Sequence, residues 1–159
     1  MTRGGVLGGY EEFITSVADL SQRGLIDIVG FWSHFARADE PRSEFNQQQI
    51  EEFERKLEYA ESQGVRPRLI HLANSAAALT NPLSHYNMLR LGIAMYGLSP
   101  DVNTMGSSTE LGLQPAMTVK AELQLVKDVP AGSAVGYGGT VTTECATKIG
   151  VVSMGYADG

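Results

Sequence analysis

Apolar residues recur at two different spacings along this chain, and the change from one to the other divides it. Tyr10, Phe13, Ile14, Val17 and Leu20 lie three and four residues apart. That spacing predicts an amphipathic helix over residues 6–23 with Gly24 as its stop. Residues 25–35 form a short, nearly continuous apolar run, as expected of a strand covered on both faces. A polar loop over 36–41 leads to a second helix, over 43–63, whose stripe is Phe45, Ile50, Phe53, Leu57 and Ala60. Glu51/Arg55 and Glu52/Lys56 are its i,i+4 pairs, and Gly64 ends it. Residues 68–75 read as a second strand followed by a small-residue segment at 76–79, and residues 87–97 as a third strand. This alternation predicts parallel strands joined by helical crossovers, in an α/β sheet or barrel.

After Pro100 the pattern changes. Residues 101–114 are rich in Ser, Thr, Gly and Asn and read as a linker. Beyond them Met117, Val119, Ala121, Leu123 and Leu125 alternate with Thr118, Lys120, Glu122 and Gln124, a period-2 strand with one wet face. A turn at 130–133 and further β structure over 135–142 and 147–154 follow. The expected organisation is an α/β part over 1–100, a linker over 101–114 and the start of a β domain over 115–159. A final apolar run with no element after it, and a glycine-rich start with no strand before it, read as an internal piece of a longer protein.

Composition narrows the function classes. The chain has 159 residues, 43% hydrophobic and 19% charged, ordinary for a globular protein. Its net charge of −6 and the lack of a Lys/Arg-rich run disfavour a nucleic-acid or anionic-membrane surface. The single cysteine, Cys145, excludes an intrachain disulfide framework and fits a reducing, cytoplasmic compartment. No apolar run approaches the roughly 20 residues that span a bilayer, and no secretory signal or metal site is expected.

In parallel α/β folds, ligands bind at the carboxyl ends of the strands. Three expected strand ends carry polar groups: His34, then Asn74-Ser75, then Arg90 with Gly92. A lone strand histidine is ordinarily structural, and Asn-Ser after a strand is ordinarily a helix cap. Arg90 is harder to dismiss, because a guanidinium keeps its charge and needs matching acceptors when buried. A small hydroxyl at Ser75 and the Gly92-Ile93 backbone are what a phosphate monoester requires. The residues therefore support a phosphate-bearing ligand at a barrel mouth without naming it.

Five segments in order carry a resemblance: Phe31-Trp32-Ser33-His34-Phe35-Ala36-Arg37-Ala38-Asp39, His71-Leu72-Ala73-Asn74-Ser75-Ala76-Ala77, Met88-Leu89-Arg90-Leu91-Gly92-Ile93-Ala94-Met95-Tyr96-Gly97, Val135-Gly136-Tyr137-Gly138 and Gly155-Tyr156-Ala157-Asp158-Gly159. Together they resemble the alanine racemase family, fold-type III pyridoxal-phosphate enzymes. The resemblance implies that residues 1–100 are the second part of a (β/α)8 barrel, followed by the first strands of a separate β domain. It implies interconversion of L- and D-alanine with pyridoxal 5'-phosphate as cofactor, supplying D-alanine for peptidoglycan, in a homodimer whose active sites are shared across the interface.

Residue by residue, the resemblance implies that Ser75, Gly92 and Ile93 hold the cofactor phosphate, with Asn74 a neighbouring polar contact. Arg90 faces the pyridine nitrogen, keeping it unprotonated and favouring racemisation over other pyridoxal chemistries. His34 joins the network around Arg90 and the catalytic tyrosine, with His71 behind it, and Arg3 positions the substrate carboxylate or that tyrosine. Tyr156, which alone reads as a turn tyrosine, is the acid/base on one face of Cα. Racemisation needs a second base on the other face. In the family it is the Schiff-base lysine of a Lys-Ala-x-Ala-Tyr-Gly-type motif, and none of Lys56, Lys120, Lys127 and Lys148 lies in one. These residues by themselves are therefore expected to be inactive. A second reading, a non-catalytic pyridoxal-phosphate-binding barrel protein of cofactor homeostasis, is opposed by the period-2 strand and the closing Gly155-Tyr156-Ala157-Asp158-Gly159 motif.

Overall fold

The computed structural model describes residues 4–158. The chain divides into two compact units, Met1–Met117 and Thr118–Gly159. In the first, helix α1 spans Tyr10–Gln22. It starts later than the apolar pattern predicts because Gly4, Gly5, Gly8 and Gly9 precede it, and glycine loses the most conformational freedom in a helix. Its end is as expected: Gly24 adopts φ +69°, its N–H reaches Ser21 O, and the Leu25 N–H reaches Leu20 O. This paired closure satisfies carbonyls that the helix leaves orphaned, and a left-handed glycine makes it possible. Helix α2, Glu44–Ser62, closes identically through Gly64 and Val65 onto Glu61 O and Ala60 O.

The buried face of α2 is Asn46, Ile50, Phe53, Leu57 and Ala60, spaced by fours and threes. Phe45, expected in the stripe, lies five residues from Ile50 and is exposed, whereas Asn46 turns inward and donates to Glu40 O. Of the predicted ion pairs, Glu52–Lys56 forms at 3.4 Å. Arg55 instead pairs with Glu52 at 2.8 Å, and Glu51 accepts from Gln47.

Strand β1, Gly30–Trp32, and strand β2, Leu69–His71, pair in parallel with Trp32 opposite His71. Both are shorter than the apolar runs suggested, because among the described residues each has a ladder partner on one side only. The expected burial on both faces of the first run is also not found. Phe31 packs on the core against Phe53, while Trp32 stands 60% exposed on the opposite face. The core itself joins Phe35, Ile50, Phe53, Leu72 and Ala76, with a second cluster of Ile14, Ala18, Ala60 and Val65 between α1 and α2.

Residues 87–97 are not a strand. The Asn87 side chain takes the place of a ladder along β2, its Oδ1 accepting the Ile70 N–H at 2.7 Å and its Nδ2 donating to Arg68 O at 2.9 Å. The Arg90 N–H then reaches Ala73 O, and the chain turns into a 3-10 helix at Ile93–Tyr96. Residues expected to form a polar linker are ordered. Asp101 caps helix α4, Val102–Met105, after the six-residue α3 at Ser75–Thr80. Ser99 bonds to Gly106 and Ser108, and Met105 packs on the core.

In the second unit, β3 (Leu123–Val129) pairs antiparallel with β6 (Thr147–Val152), and β4 (Ala134–Val135) with β5 (Val141–Thr142). The alternating pattern from Met117 becomes a strand only at Leu123, where β6 runs out opposite it. Leu125 and Val126 on β3 are about half exposed, so the expected single wet face is not seen within this unit. No helix among the described residues is long and apolar enough to cross a membrane.

Candidate active site

Because β1 and β2 run parallel, the residues that follow them emerge at the same end of the sheet. Ser33 and His34 follow β1, Ala73, Asn74 and Ser75 follow β2, and the Arg90 backbone is tied to Ala73. Arg90 is the hub. Its Nη2 donates to Ser33 O at 2.7 Å and lies 2.9 Å from His34 Nδ1. Its Nη1 makes a close contact with His71 Nδ1 and a longer bond to His71 O. Among the described residues no carboxylate pairs with it.

A guanidinium has donors only. Both imidazole Nδ1 atoms therefore accept, which places the proton of each ring on Nε2. For His71 the electrostatics agree: burial, followed by the Arg90 charge, holds its pKa below the ordinary histidine value. Burial also pulls Arg90 below its usual range, yet a guanidinium remains the cation of such a cluster. The arrangement presents a fixed positive charge, and among the described residues no carboxylate is paired with it.

Two residues further on, a second cluster forms. Ser75 is buried at the start of α3, and its Oγ accepts the Gly92 N–H at 2.7 Å and the Ala94 N–H at 3.3 Å. Ile93 opens the 3-10 turn, where the first N–H groups have no partner within the helix. One hydroxyl and several backbone N–H groups thus meet at one point around an oxygen acceptor. That donor set suits a phosphate, whose oxygens could accept from the hydroxyl and from the backbone N–H groups beside it. Asn74 behaves as the ordinary reading has it: its Oδ1 caps α3 by accepting the Ala77 N–H at 3.1 Å.

The structure thus brings together His34, His71 and Arg90, and separately Ser75, Gly92 and the start of the 93–96 turn. Arg3 lies outside the described residues. Tyr156 opens a short 3-10 turn, Tyr156–Asp158, but its side chain is likewise outside what is described. Of the lysines, Lys56 sits on α2 over the Tyr10 ring, paired with Glu52, and Lys148 pairs with Asp128. A concavity of about 370 Å³ lies between the start of α1 and α2, but its Arg55 and Lys56 are already engaged by Glu52.

Two participants escape sequence reasoning. Trp32 stacks on His71 with ring centroids 5.8 Å apart and planes 6° from parallel, and its ring lies 5.1 Å from the Arg90 guanidinium. Asn87 anchors the segment that delivers Arg90. The available signals were the chain's one tryptophan immediately before Ser33-His34, and an amide at the head of an apolar run.

Comparison with known proteins follows the same division. The family described as the alanine racemase N-terminal domain matches residues 1–100, and the alanine racemase C-terminal domain matches 116–159. The alanine racemase of Salinispora tropica is 42% identical over all of this chain and 42% of its own length. That of Streptomyces coelicolor is 44% identical over 99% of this chain and 40% of its own length. The solved Streptomyces coelicolor A3(2) enzyme superposes with a TM-score of 0.86 at 44% identity, covering 98% of this chain and 41% of that one. The biosynthetic alanine racemase of Pseudomonas aeruginosa gives 0.82 at 38% identity, covering 100% and 42%. The chain spans about two fifths of the length of these relatives, and the matched domains follow one another along it; it belongs to the alanine racemase family.

Proposed function

We propose that these residues supply the phosphate cradle, the ring-nitrogen partner and one of two acid/base groups of a pyridoxal-phosphate-dependent alanine racemase. The observation that carries this reading is the Ser75–Gly92–Ala94 cluster lying two residues from an arginine held by two histidines. Ser75 and the Gly92 and Ile93 N–H groups would hold the phosphate, and Arg90 would face the ring nitrogen. Asn74 contributes by fixing the start of α3, and so the position of Ser75. On this reading residues 1–100 are the second part of a (β/α)8 barrel and 115–159 the opening of a β domain.

When bound, pyridoxal phosphate would supply the electron-withdrawing ring that acidifies the substrate Cα–H. Arg90 would donate to the ring nitrogen without giving up its proton, which would keep the ring a modest electron sink and favour proton exchange. Tyr156 would hold or accept the proton on one face of alanine Cα. An unperturbed phenol titrates near 10, so a nearby cation must favour its anion, and we assign that task to the Arg90–His34 network with Arg3. The base on the other face is the family's lysine, from the part of the relatives' length that these residues do not span. The tyrosine works across a homodimer interface, and the enzyme acts in the cytoplasm.

A chimera in which residues 4–158 replace the matching span of the Streptomyces coelicolor enzyme tests the assignment. It should interconvert L- and D-alanine. With Tyr156→Phe, racemisation of both enantiomers should fall together, since the equilibrium constant is one. One enantiomer should still exchange its Cα hydrogen with deuterated water through the lysine. Loss of exchange in both enantiomers, with the fold intact, would rule out the two-base assignment.

A further inference from the structure

We infer that Trp32 is a positioning residue, the plate against which the His71 imidazole and the Arg90 guanidinium are set. The inference deepens the assignment of Arg90 above, but it stands on geometry within this chain.

Trp32 sits at the end of β1 directly opposite His71 on β2. Parallel pairing at that register brings the two side chains alongside each other on one face of the sheet. Their rings lie 6° from parallel, and the same indole lies 5.1 Å from the Arg90 guanidinium carbon. An indole face attracts a guanidinium through its quadrupole and offers no competing acceptor. Arg90 therefore meets acceptors on His71, Ser33 and His34, and an aromatic wall at Trp32. The indole also shields one face of His71 from water. Among the described residues, His71 Nε2 lies beside Gly30 on β1, which has no side chain to cover it, and its Nδ1 meets Arg90, with His34 beyond the guanidinium. Arg90 is the charged group facing His71 among the described residues.

A tryptophan with more than half its surface exposed contributes little to a core. Among the described residues its ring stacks on His71 and lies beside Arg90, both groups of the candidate site, so its removal should be felt there before it is felt in global stability. Losing the plate leaves the His71 face wet and lets Arg90 swing away. His71 then accepts a proton more readily, and its Nδ1 ceases to be a dependable acceptor.

The test needs no cofactor, so its failure is distinguishable from failure of the racemase assignment. Side-chain nitrogen NMR of His71 is followed against pH in the 159-residue chain, in Trp32→Leu and Trp32→Phe, and in Phe53→Leu as a core control. The expected result is a neutral Nε2–H ring in the parent chain. Its titration midpoint should move up towards ordinary histidine in Trp32→Leu, by less in Trp32→Phe, and not at all in Phe53→Leu. The single indole gives an independent readout: its emission should be quenched as His71 protonates, and His71→Gln should remove that step. A His71 midpoint in both Trp32 variants equal to that of the parent would overturn the proposal, as would an equal shift in Phe53→Leu.

Discussion

Ser75 Oγ accepts the Gly92 N–H at 2.7 Å, seventeen residues further along the chain, and this bond closes the turn that carries the candidate phosphate donors. The hydroxyl is buried and also serves the Ala94 N–H. Ser75→Ala leaves both amides without that acceptor; they are only partly buried, so water can compensate in part and the loss should be about 1 kcal/mol. Chemical denaturation should show a loss of that order. In the Streptomyces chimera the same change should weaken pyridoxal phosphate more than pyridoxal. Equal weakening of both would detach Ser75 from the phosphate.

His71 gives a pH signature. Its pKa in the fold is depressed by burial and by the Arg90 charge, while the unfolded ring titrates near 6.5. Between those two values the unfolded chain binds the extra proton. The stability that neutral His71 contributes is therefore complete above the unfolded value and is lost as pH falls through the window below it. Denaturation midpoints measured from pH 7.5 downward should decline through this range, and His71→Gln should flatten that part of the decline. An unchanged slope would show that the decline comes from other groups.

Gly97 tests a close approach. It adopts φ +76°, and a Cβ there would overlap the Gln114 carbonyl and lie 2.6 Å from Pro115 Cα. The Ala116 N–H bonds to Tyr96 O beside it, so this backbone crossing has little freedom to shift. Gly97→Ala should cost more than ~3 kcal/mol from strain and overlap together. Gly112 has a similar positive φ with open space around it, so Gly112→Ala should cost only the local strain of about 1 kcal/mol. Comparable losses in the two variants would show that the crossing is not tight.

Asn87 is the clamp along β2. Asn87→Ala frees the Ile70 N–H and Arg68 O, both near solvent, so the loss should be about 1 kcal/mol. The sharper readout is amide exchange: Ile70 should lose protection in Asn87→Ala and keep it in Asn87→Asp, which retains the accepting oxygen. Equal exchange in the parent chain and in Asn87→Ala would remove the clamp.

Both long helices were legible in the sequence because their apolar spacing and their stops, Gly24 and Gly64, are local signals. The strands were legible as places but not as lengths. Apolar runs such as 25–35 mark where a strand forms, whereas the ladder ends where its partner ends, at Trp32 opposite His71. Residues 87–97 were misread because an apolar run does not reveal that an asparagine side chain will substitute for main-chain pairing. His34, Ser75, Arg90 and Gly92 could be chosen as polar groups at expected strand ends, and His71 through the family resemblance. Trp32 could not, since its role depends on facing His71 across a parallel register that periodicity does not encode.

The central claim is that Ser75 and the Gly92–Ala94 backbone form a phosphate site beside Arg90. Pyridoxine 5'-phosphate tests it most directly, because it carries the ring and phosphate but no aldehyde to react with lysines. Titrated into the 15N-labelled 159-residue chain, it should shift the Gly92, Ile93 and Ala94 amides and the Arg90 side chain, while pyridoxine without phosphate leaves those amides in place. Amides that stay still at millimolar ligand, or shifts gathered instead around Tyr10, Arg55 and Lys56, would contradict the claim.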